Sequence, residues 1–261
     1  MCLLVLAWQA HARYRLVVAA NRDEYHERPA APLAKWPPPA QLIAGRDLRA
    51  HGTWLGIDRA RRFGVVTNFR ELQDARPGAP SRGGLIPRYL GAGGESAAGF
   101  LAALAHEAQA YSGFNLLLAD QESLWYGSNR ATPFARALPP GVYGLANELL
   151  DTPWPKLARA RAGFTAWLRA PQALPAQELF ALLADRTPAD EATLAHVGGL
   201  PPQWHRALSA PFVLHPDYGT RCSSVLLLES GGGLYLAERR FDSRGNLSGE
   251  TEFRLNAGEW P

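Results

Sequence analysis

Runs of apolar residues separated by short polar turns mark both ends of the chain and predict antiparallel strands. Residues 3–8 and 14–20 are the first two runs, and the polar turn between them is typical of a β-hairpin with buried strands. A loop is predicted at 29–39 and a hairpin turn at 231–233. By the same pattern, further strands are predicted at 54–58, 63–68, 114–119, 123–126, 141–146, 212–215, 222–228, 234–241 and 250–255.

Apolar residues recur at helical spacing in the middle of the chain. Residues 96–109 carry Phe100, Leu101 and Leu104 on one face, and Ser96 is the predicted N-cap. Groups of strands joined by short turns alternate with helical groups, which favours an α+β architecture of antiparallel sheets with helices packed outside. Because no linker divides the chain, we expect one domain over residues 1–261. Further helices are predicted at 85–90, 154–168, 176–183 and 189–195.

Polar residues follow or precede several predicted strands. The run Asn21-Arg22-Asp23-Glu24 comes directly after the second strand, Asn68 and Asn147 end two others, and Arg221 opens another. Antiparallel pairing of the first two strands would bring the end of the second close to the start of the chain. We therefore expect the run beside Cys2.

Cys2 is the residue whose position suggests the sharpest chemistry. If Met1 is removed, Cys2 carries a free α-amino group, whose ordinary pKa of about 7.7–8.0 suits a general base at neutral pH. One residue would then supply both a nucleophile and a proton acceptor. The alternative is an incidental cysteine at the start of a buried strand.

The surrounding polar residues admit two interpretations as well. Asp23 would hold the α-ammonium group, Asn68 and Asn147 would donate to an oxyanion, and Arg221 would favour a thiolate. Asparagines also cap strands and turns, however, and Asp23 forms a plausible surface ion pair with Arg22.

Composition excludes several other classes of function. The net charge is +3 and the arginines are scattered, without a basic stripe interleaved with aromatic residues, so nucleic-acid binding has no support. No histidine pairs with cysteine or carboxylate at metal-ligand spacing. Two cysteines do not make a disulfide framework, and the sequence leaves open whether the two form a single disulfide bridge. Cys222, within an apolar strand, is expected to be a small core residue.

The apolar run at 3–8 does not resemble a secretion signal. No positive segment precedes it, it is short, and polar residues interrupt the stretch after it. No segment is long enough to span a membrane, and the expected location is the cytosol.

Residues 19–24, Ala-Ala-Asn-Arg-Asp-Glu, carry the motif that names the NRDE family, which includes the transport and Golgi organisation proteins. The chain resembles this family in motifs that run in order from Met1 to Arg221, over nearly its whole length. The other motifs are Met1-Cys2, Gly52-Thr53-Trp54-Leu55-Gly56, Thr67-Asn68, Gly113-Phe114-Asn115-Leu116-Leu117, Tyr143-Gly144-Leu145, Asn147 with Thr152-Pro153-Trp154, and Tyr218-Gly219-Thr220-Arg221.

The resemblance implies an N-terminal-nucleophile hydrolase, nearest to the penicillin V acylase and choloylglycine hydrolase group. That group has a four-layer αββα sandwich of two antiparallel sheets flanked by helices, and it cleaves amide bonds of acylated small molecules without a cofactor. The implied catalytic residues are Cys2, Asp23, Asn68, Asn147 and Arg221. The implied substrate-binding residues are Asn21, Arg22, Trp54 and Phe69.

The acylases also have an arginine three residues before the aspartate, where this chain has Ala20. Arg22 lies directly before Asp23, and neighbouring strand residues point to opposite faces. Arg22 is therefore not expected to share the face of Asp23 if the strand continues through this run.

The same resemblance implies an alternative function. Members of the family have been linked to haem handling and lipid metabolism, so the chain would be a non-catalytic protein that carries haem or an acylated lipid in the same pocket. The expected partners are thus a small acyl amide, a lipid or haem. The oligomeric state stays open.

Overall fold

Strands and helices follow one another in an order that builds two antiparallel sheets. A computed structural model describes residues 2–70, 78–91, 93–170, 175–194 and 202–261. The strands are β1 (Leu3–Trp8), β2 (Tyr14–Tyr25), β3 (Ala30–Lys35), β4 (Leu42–Asp47), β5 (Leu55–Asp58), β6 (Phe63–Asn68), β7 (Phe114–Ala119), β8 (Leu124–Ser128), β9 (Ala135–Leu138), β10 (Gly141–Leu145), β11 (Tyr218–Glu229), β12 (Leu234–Phe241) and β13 (Leu247–Leu255). The helices are α1 (Leu85–Gly91), α2 (Ala97–Ala105), α3 (Pro155–Arg169), α4 (Pro175–Leu183), α5 (Glu191–Leu194) and α6 (Pro202–Leu208), with short 3₁₀ turns at Arg82–Gly84 and Ala108–Ala110.

The chain divides into two units, each built around one sheet. The first unit comprises Met1–Glu27, Pro140–Ala146 and Asp151–Ala257, and the second comprises Arg28–Pro139, Asn147–Leu150 and Gly258–Pro261. The predicted α+β class with antiparallel sheets is confirmed. The single domain expected over residues 1–261 stays a prediction.

The first unit contains a six-stranded sheet in the order β10-β1-β2-β11-β12-β13. β1 is buried along its whole length, which explains its uninterrupted apolar sequence. One face of this sheet packs against α3 and α4. The core between them includes Leu3, Val5, Ala7, Val17, Ala19, Val225, Leu227 and Ala237 from the strands, and Leu157, Phe164, Trp167, Leu179, Phe180 and Leu183 from the helices.

The second unit contains a seven-stranded sheet in which β3 to β9 pair in chain order. Its core is formed with α1 and α2, through residues such as Ile86, Tyr89, Phe100 and Leu104. The hydroxyl of Ser96 accepts a hydrogen bond from the Gly99 amide at 3.1 Å, so the predicted N-cap of α2 is confirmed.

Several strands keep their predicted bounds, but the loop predicted at 29–39 is wrong for residues 30–35. Residues Ala30–Lys35 form β3, and only Leu33 of this strand is buried. β3 is an edge strand, where exposed side chains and Pro32 are tolerated, so no alternating apolar pattern marks it. The four predictions that match the observed bounds are β1, β6, β7 and β12.

Three further predictions need correction or fall partly outside the described residues. β2 does not end before Asn21 but continues through the polar run to Tyr25. The strand predicted at 212–215 is absent from the described structure of that stretch, where a single bridge joins Leu214 and Gly219. Position 195, the last of the helix predicted at 189–195, lies outside the described residues. β4, β9 and α6 were not predicted at all.

No described helix is long and apolar enough to cross a membrane. This finding covers only the part of the chain that the structure describes.

Gly52 lies against Gly83 in the second unit, and a side chain there has no room. A Cβ atom on Gly52 would overlap the carbonyl group of Gly83, which accepts a hydrogen bond from the Thr53 amide at 2.9 Å. We expect Gly52→Ala to lower the free energy of unfolding by about 1–3 kcal/mol, because backbone must move to relieve the overlap. Denaturant titration measures this loss.

Gly84→Ala is the matched control, because a Cβ atom at Gly84 meets nothing within 4 Å. Equal stability of the two variants would contradict the steric argument.

Candidate active site

The register of β1 and β2 sets the surroundings of Cys2. Leu3 pairs with Asn21 and Leu4 with Ala20, so continuing the register by one residue puts Cys2 opposite Arg22. Cys2 is half-buried and its thiol is free. The expectation that the polar run lies beside Cys2 thus agrees with the pairing of the hairpin.

Arg22 and Cys222 share the face of the sheet that points away from α3 and α4. Cys222 pairs with Arg22 across β2 and β11. Its neighbour Ser223 points to the helix side, where its hydroxyl donates to Asn21 Oδ1 at 2.6 Å. Because strand residues alternate between faces, Arg22 and Cys222 point the other way. Cys2 belongs with them, because the continued register places it opposite Arg22 and directly paired residues of neighbouring strands share a face.

The two thiols differ in burial and do not form a bridge. Burial, followed by the nearby carboxylate of Glu238, raises the pKa of the Cys222 thiol well above its ordinary value. Cys222 is therefore a protonated core residue, as predicted. Cys2 and Cys222 flank β2 on its two sides, and two strand spacings amount to roughly 9.5 Å. Cα atoms more than about 7 Å apart cannot be bridged without backbone movement.

Arg221 occupies a β-bulge. The register between β2 and β11 shifts between Thr220 and Cys222, so Arg221 is the extra residue of β11. A bulge re-aims a side chain, and Arg221 Nη1 donates to the carbonyl oxygens of Tyr25 at 2.9 Å and His26 at 3.1 Å. Burial, followed by the positive charge of Arg22, lowers the pKa of the Arg221 guanidinium. Arg221 directly precedes Cys222, the residue that pairs with Arg22, so the two arginines are neighbours across β2 and β11.

Asp23 lies on the helix side of the sheet, opposite to Arg22. Its side chain is fully buried, and Lys156 Nζ, at the start of α3, lies 3.0 Å from Asp23 Oδ2. The Thr220 hydroxyl donates to Asp23 Oδ1 at 2.7 Å, and the Tyr218 hydroxyl donates to its backbone carbonyl. Any contact with the amine of Cys2 would share a carboxylate oxygen with Lys156 or Thr220. The predicted role of Asp23 at the N-terminus stays a prediction.

Asn21 binds the end of α4 and the loop before β11 rather than facing open space. Its Nδ2 atom donates to the carbonyl oxygens of Leu183 and Pro211, both at 2.9 Å, and the side chain is buried. These bonds tie β2 to the end of α4 and to the loop at Pro211, and the bond from Ser223 ties it to β11. The predicted contact of Asn21 with substrate stays a prediction, and its described bonds are structural.

Asn68 and Asn147 come together in the second unit. Asn147 Nδ2 donates to the Asn68 carbonyl at 2.7 Å, and the Arg70 amide donates to the Asn147 carbonyl at 2.6 Å. Asn115 donates to the Glu148 carbonyl at 2.9 Å and holds the same segment. Among the described residues, Asn147 Oδ1 is buried without a hydrogen-bond partner. Such an atom is costly to leave unpaired.

Trp54 and Phe69 also belong to the second unit. Both are half-buried, the Trp54 carbonyl accepts from the Val66 amide, and the Phe69 amide donates to the Gly113 carbonyl. The side chain of Asn68 is exposed at the end of β6. The predicted roles of these three residues stay predictions.

Sequence reasoning missed Lys156 and Glu238. Both are buried charged residues next to the predicted ones, Lys156 at Asp23 and Glu238 near Cys222. The sequence does single out Lys156, because it is one of only two lysines in the chain and stands between Pro155 and the apolar face of a predicted helix. No described group of three or more cysteine, histidine or carboxylate side chains could hold a metal ion.

Comparison with known proteins identifies the family of the chain. The family model described as "Transport and Golgi organisation 2" matches residues 1–243. The chain belongs to this family. The match includes the polar run of β2, the bulge of β11 and the segment around Asn147. It confirms the resemblance to the transport and Golgi organisation proteins, whereas the relation to the N-terminal-nucleophile hydrolases stays a prediction.

Mammalian relatives of this family extend over nearly the same length. The chain is 31% identical to the Transport and Golgi organization 2 homolog of Mus musculus, over 94% of both chains. It is 33% identical to the Transport and Golgi organization protein 2 homolog of Bos taurus, again over 94% of both. For the homolog of Homo sapiens the identity is 34%, over 87% of this chain and 86% of that protein.

Proposed function

We propose that this protein is an N-terminal cysteine hydrolase that cleaves the amide bond of an acylated small molecule. The observation that carries the proposal is the position of Cys2. Its thiol is half-buried at the start of a buried strand and lies on the sheet face that also carries Arg22. The second thiol of the chain, Cys222, is buried and protonated, so Cys2 is the better nucleophile.

The proposed reaction has two steps and needs no cofactor. After removal of Met1, the α-amine of Cys2 takes the thiol proton, and Sγ attacks the carbonyl carbon of the substrate amide. The C–N bond then breaks, the leaving amine takes the proton from the α-ammonium group, and a thioester remains on Cys2. Water activated by the same amine hydrolyses the thioester, which releases the acid and restores the thiol.

The remaining predicted residues have subordinate parts in this reaction. The guanidinium groups of Arg22 and Arg221 favour negative charge near Cys2. Asn68 and Asn147 are proposed as donors to the oxyanion, and only the resemblance to the penicillin V acylase and choloylglycine hydrolase group supports this part of the proposal.

The experiment combines intact mass with trapping of the acyl-enzyme. The mass of the purified protein must show that the chain begins at Cys2. Mixed with p-nitrophenyl esters of short and long fatty acids, the wild type should release a burst of nitrophenol and gain one acyl group at Cys2. We expect Cys2→Ser to lower the turnover of any amide cleaved in an acyl-amide panel at least about a hundredfold.

Cys222→Ser is the matched control, and it should keep the burst because the buried thiol does not react. Retention of Met1, or an undiminished burst in Cys2→Ser, would contradict the proposal.

Binding of haem or an acylated lipid without turnover stays the alternative. A saturable shift of the haem Soret band in a protein that lacks the burst would favour it.

A further inference from the structure

The last strand of the first sheet, β13, lies at a sheet edge. It is nine residues long, and in the described sheet it pairs with β12 alone. Alternate residues of an antiparallel strand direct their backbone N–H and C=O groups to opposite sides, so half of these groups in β13 point away from β12. Such an edge is a template for a further strand.

The other sheet edges in the described structure are shorter or interrupted. β9 and β10 have four and five residues, and β3 contains Pro32, which has no N–H group to donate. The register shift between β12 and β13 lies at the start of β13, opposite Arg240 and Phe241. Residues 249–255 therefore form a regular edge without proline.

One face of this edge carries charges of alternating sign. Glu252 and Arg254 point to the same face, their side chains are 44% and 69% exposed, and Arg254 Nε donates to Glu252 Oε1 at 3.0 Å. The Tyr235 hydroxyl donates to Glu252 Oε2 at 3.3 Å. Phe253, between the two charges, is half-buried and points to the other face. Because both charged side chains are exposed, each can take a second partner of opposite charge.

The same strand of a second copy supplies these partners when the twofold axis passes through Phe253. In that antiparallel pair, Glu252 lies opposite Arg254 of the partner subunit, and symmetry repeats the contact. The Cβ atoms of directly opposite residues are about 4.5–5.5 Å apart. Each carboxylate then lies beside two guanidinium groups, one from its own strand and one from the other copy. The two Phe253 rings are neighbours on the opposite face.

Charge disfavours the neighbouring registers. An axis at Glu252 would place this carboxylate opposite its own copy, and an axis at Arg254 would do the same with the guanidinium. An axis at Thr251 would place Glu250 opposite Glu252. Like charges directly opposite each other destabilise a strand pair. Of these four registers, the one centred on Phe253 is therefore self-complementary.

We propose that β13 pairs with β13 of a second copy of this chain, antiparallel and centred on Phe253, so that one continuous sheet extends across both protomers. The inference goes beyond the proposed hydrolase and does not depend on it.

Sedimentation velocity over a range of protein concentrations tests the dimer. The wild type should show twice the mass of one chain and return to monomer on dilution. Glu252→Arg and Arg254→Glu should each raise the dissociation constant at least about tenfold, because each places like charges opposite each other. Glu191→Arg, which reverses an exposed charge on α5, is the control and should leave the constant unchanged. Thermal unfolding followed by circular dichroism shows that each variant is folded.

Charge exchange between the two positions tests the register. The single variants Glu252→Arg and Arg254→Glu, mixed in equal amounts, should form a heterodimer, because two positive positions on one chain then face two negative positions on the other. The double variant Glu252→Arg/Arg254→Glu should dimerise like the wild type, since the alternating order of charges is kept. A general effect of charge on solubility would not produce this rescue.

A cysteine at the proposed axis gives a measure that does not depend on charge. In a Cys2→Ser background, Phe253→Cys should form a disulfide-linked dimer in mild oxidant, because Cα atoms of directly opposite residues are about 4.5–5.5 Å apart. Thr251→Cys is the matched control. Its two copies would be displaced by four residues, roughly 13 Å along the strands, and should not cross-link.

Two outcomes would overturn the proposal. A wild type that stays monomeric up to about 200 µM would leave the edge to a strand of a different protein or to none. A dimer that neither charge reversal weakens, and that Phe253→Cys does not cross-link, would place the interface elsewhere on the molecule.

Discussion

Replacing Lys156 with methionine is expected to lower the free energy of unfolding by about 3–5 kcal/mol, because it leaves the Asp23 carboxylate buried without its cation. Lys156 and Asp23 are both fully buried, and Nζ lies 3.0 Å from Oδ2. Methionine keeps the length and apolar body of the side chain, so the loss reports the charge and its hydrogen bond. Denaturant titration at neutral pH measures the change.

A double-mutant cycle separates the ion pair from packing. Asp23→Asn alone leaves the lysine buried without its counter-charge, and it also weakens the bond from Thr220. The double variant Lys156→Met/Asp23→Asn removes both charges, and we expect it to be less destabilised than the sum of the single variants. Simple additivity would show that the pair contributes no coupling.

An exposed ion pair supplies the control for charge removal in general. Arg206 and Glu191 lie 2.7 Å apart, but their side chains are 61% and 81% exposed. Arg206→Gln should change the free energy of unfolding by no more than about 1 kcal/mol, because water screens the pair and its ends are mobile. A loss as large as that of Lys156→Met would contradict the part assigned to burial.

The hairpin of β1 and β2 was predictable because its residues follow a simple physical rule. A strand buried on both faces has an uninterrupted apolar sequence, and Leu3–Trp8 shows one. The continuation of β2 through Asn21 and Asp23 was not predictable in the same way. Those polar side chains are buried because partners distant in sequence, such as Lys156 and Ser223, satisfy them.

The two faces of β2 show what sequence could and could not tell about the site. Alternation alone indicated that Arg22 and Asp23 point in opposite directions once the strand continues. The bulge at Arg221 has no sequence signature, yet it decides that this arginine comes beside Arg22. Asp23 thus pairs with a buried lysine on the helix side of the sheet, while Arg22 and Arg221 lie on the side of Cys2. The catalytic role of Asp23 stays a prediction.

A second buried ion pair, in the other unit, holds the turn between β5 and β6 against the end of α1. Arg62 Nε donates to Asp58 Oδ2 at 2.7 Å, and the two side chains are only 7% and 6% exposed. Arg62 Nη2 donates to the Leu90 carbonyl at 2.7 Å, and the guanidinium lies 5.1 Å from the centre of the Tyr89 ring. The Arg62 side chain therefore donates hydrogen bonds both to the Asp58 carboxylate and to a carbonyl at the end of α1.

We expect Arg62→Met to lower the free energy of unfolding by about 3–5 kcal/mol at neutral pH, because it leaves the Asp58 carboxylate and the Leu90 carbonyl without this donor. Denaturant titration measures the loss. Arg62→Met/Asp58→Asn should regain part of it, since the buried charge is then gone.

The loss in Arg62→Met should also depend on pH. Burial already raises the pKa of Asp58 in the wild type, while Arg62 acts to lower it. Removing Arg62 raises that pKa further, so the folded variant binds a proton at Asp58 more tightly than the unfolded chain does. A group with a raised pKa in the folded state contributes stability at low pH that is lost as the pH rises through that pKa.

The destabilisation of Arg62→Met relative to wild type should accordingly be smaller at about pH 5 than at about pH 8. When Arg62→Met/Asp58→Asn is compared with Asp58→Asn, this difference should disappear, because position 58 titrates in neither protein. A destabilisation that is the same at both pH values in the single variant would show that the loss comes from the helix end and the Tyr89 contact rather than from the carboxylate.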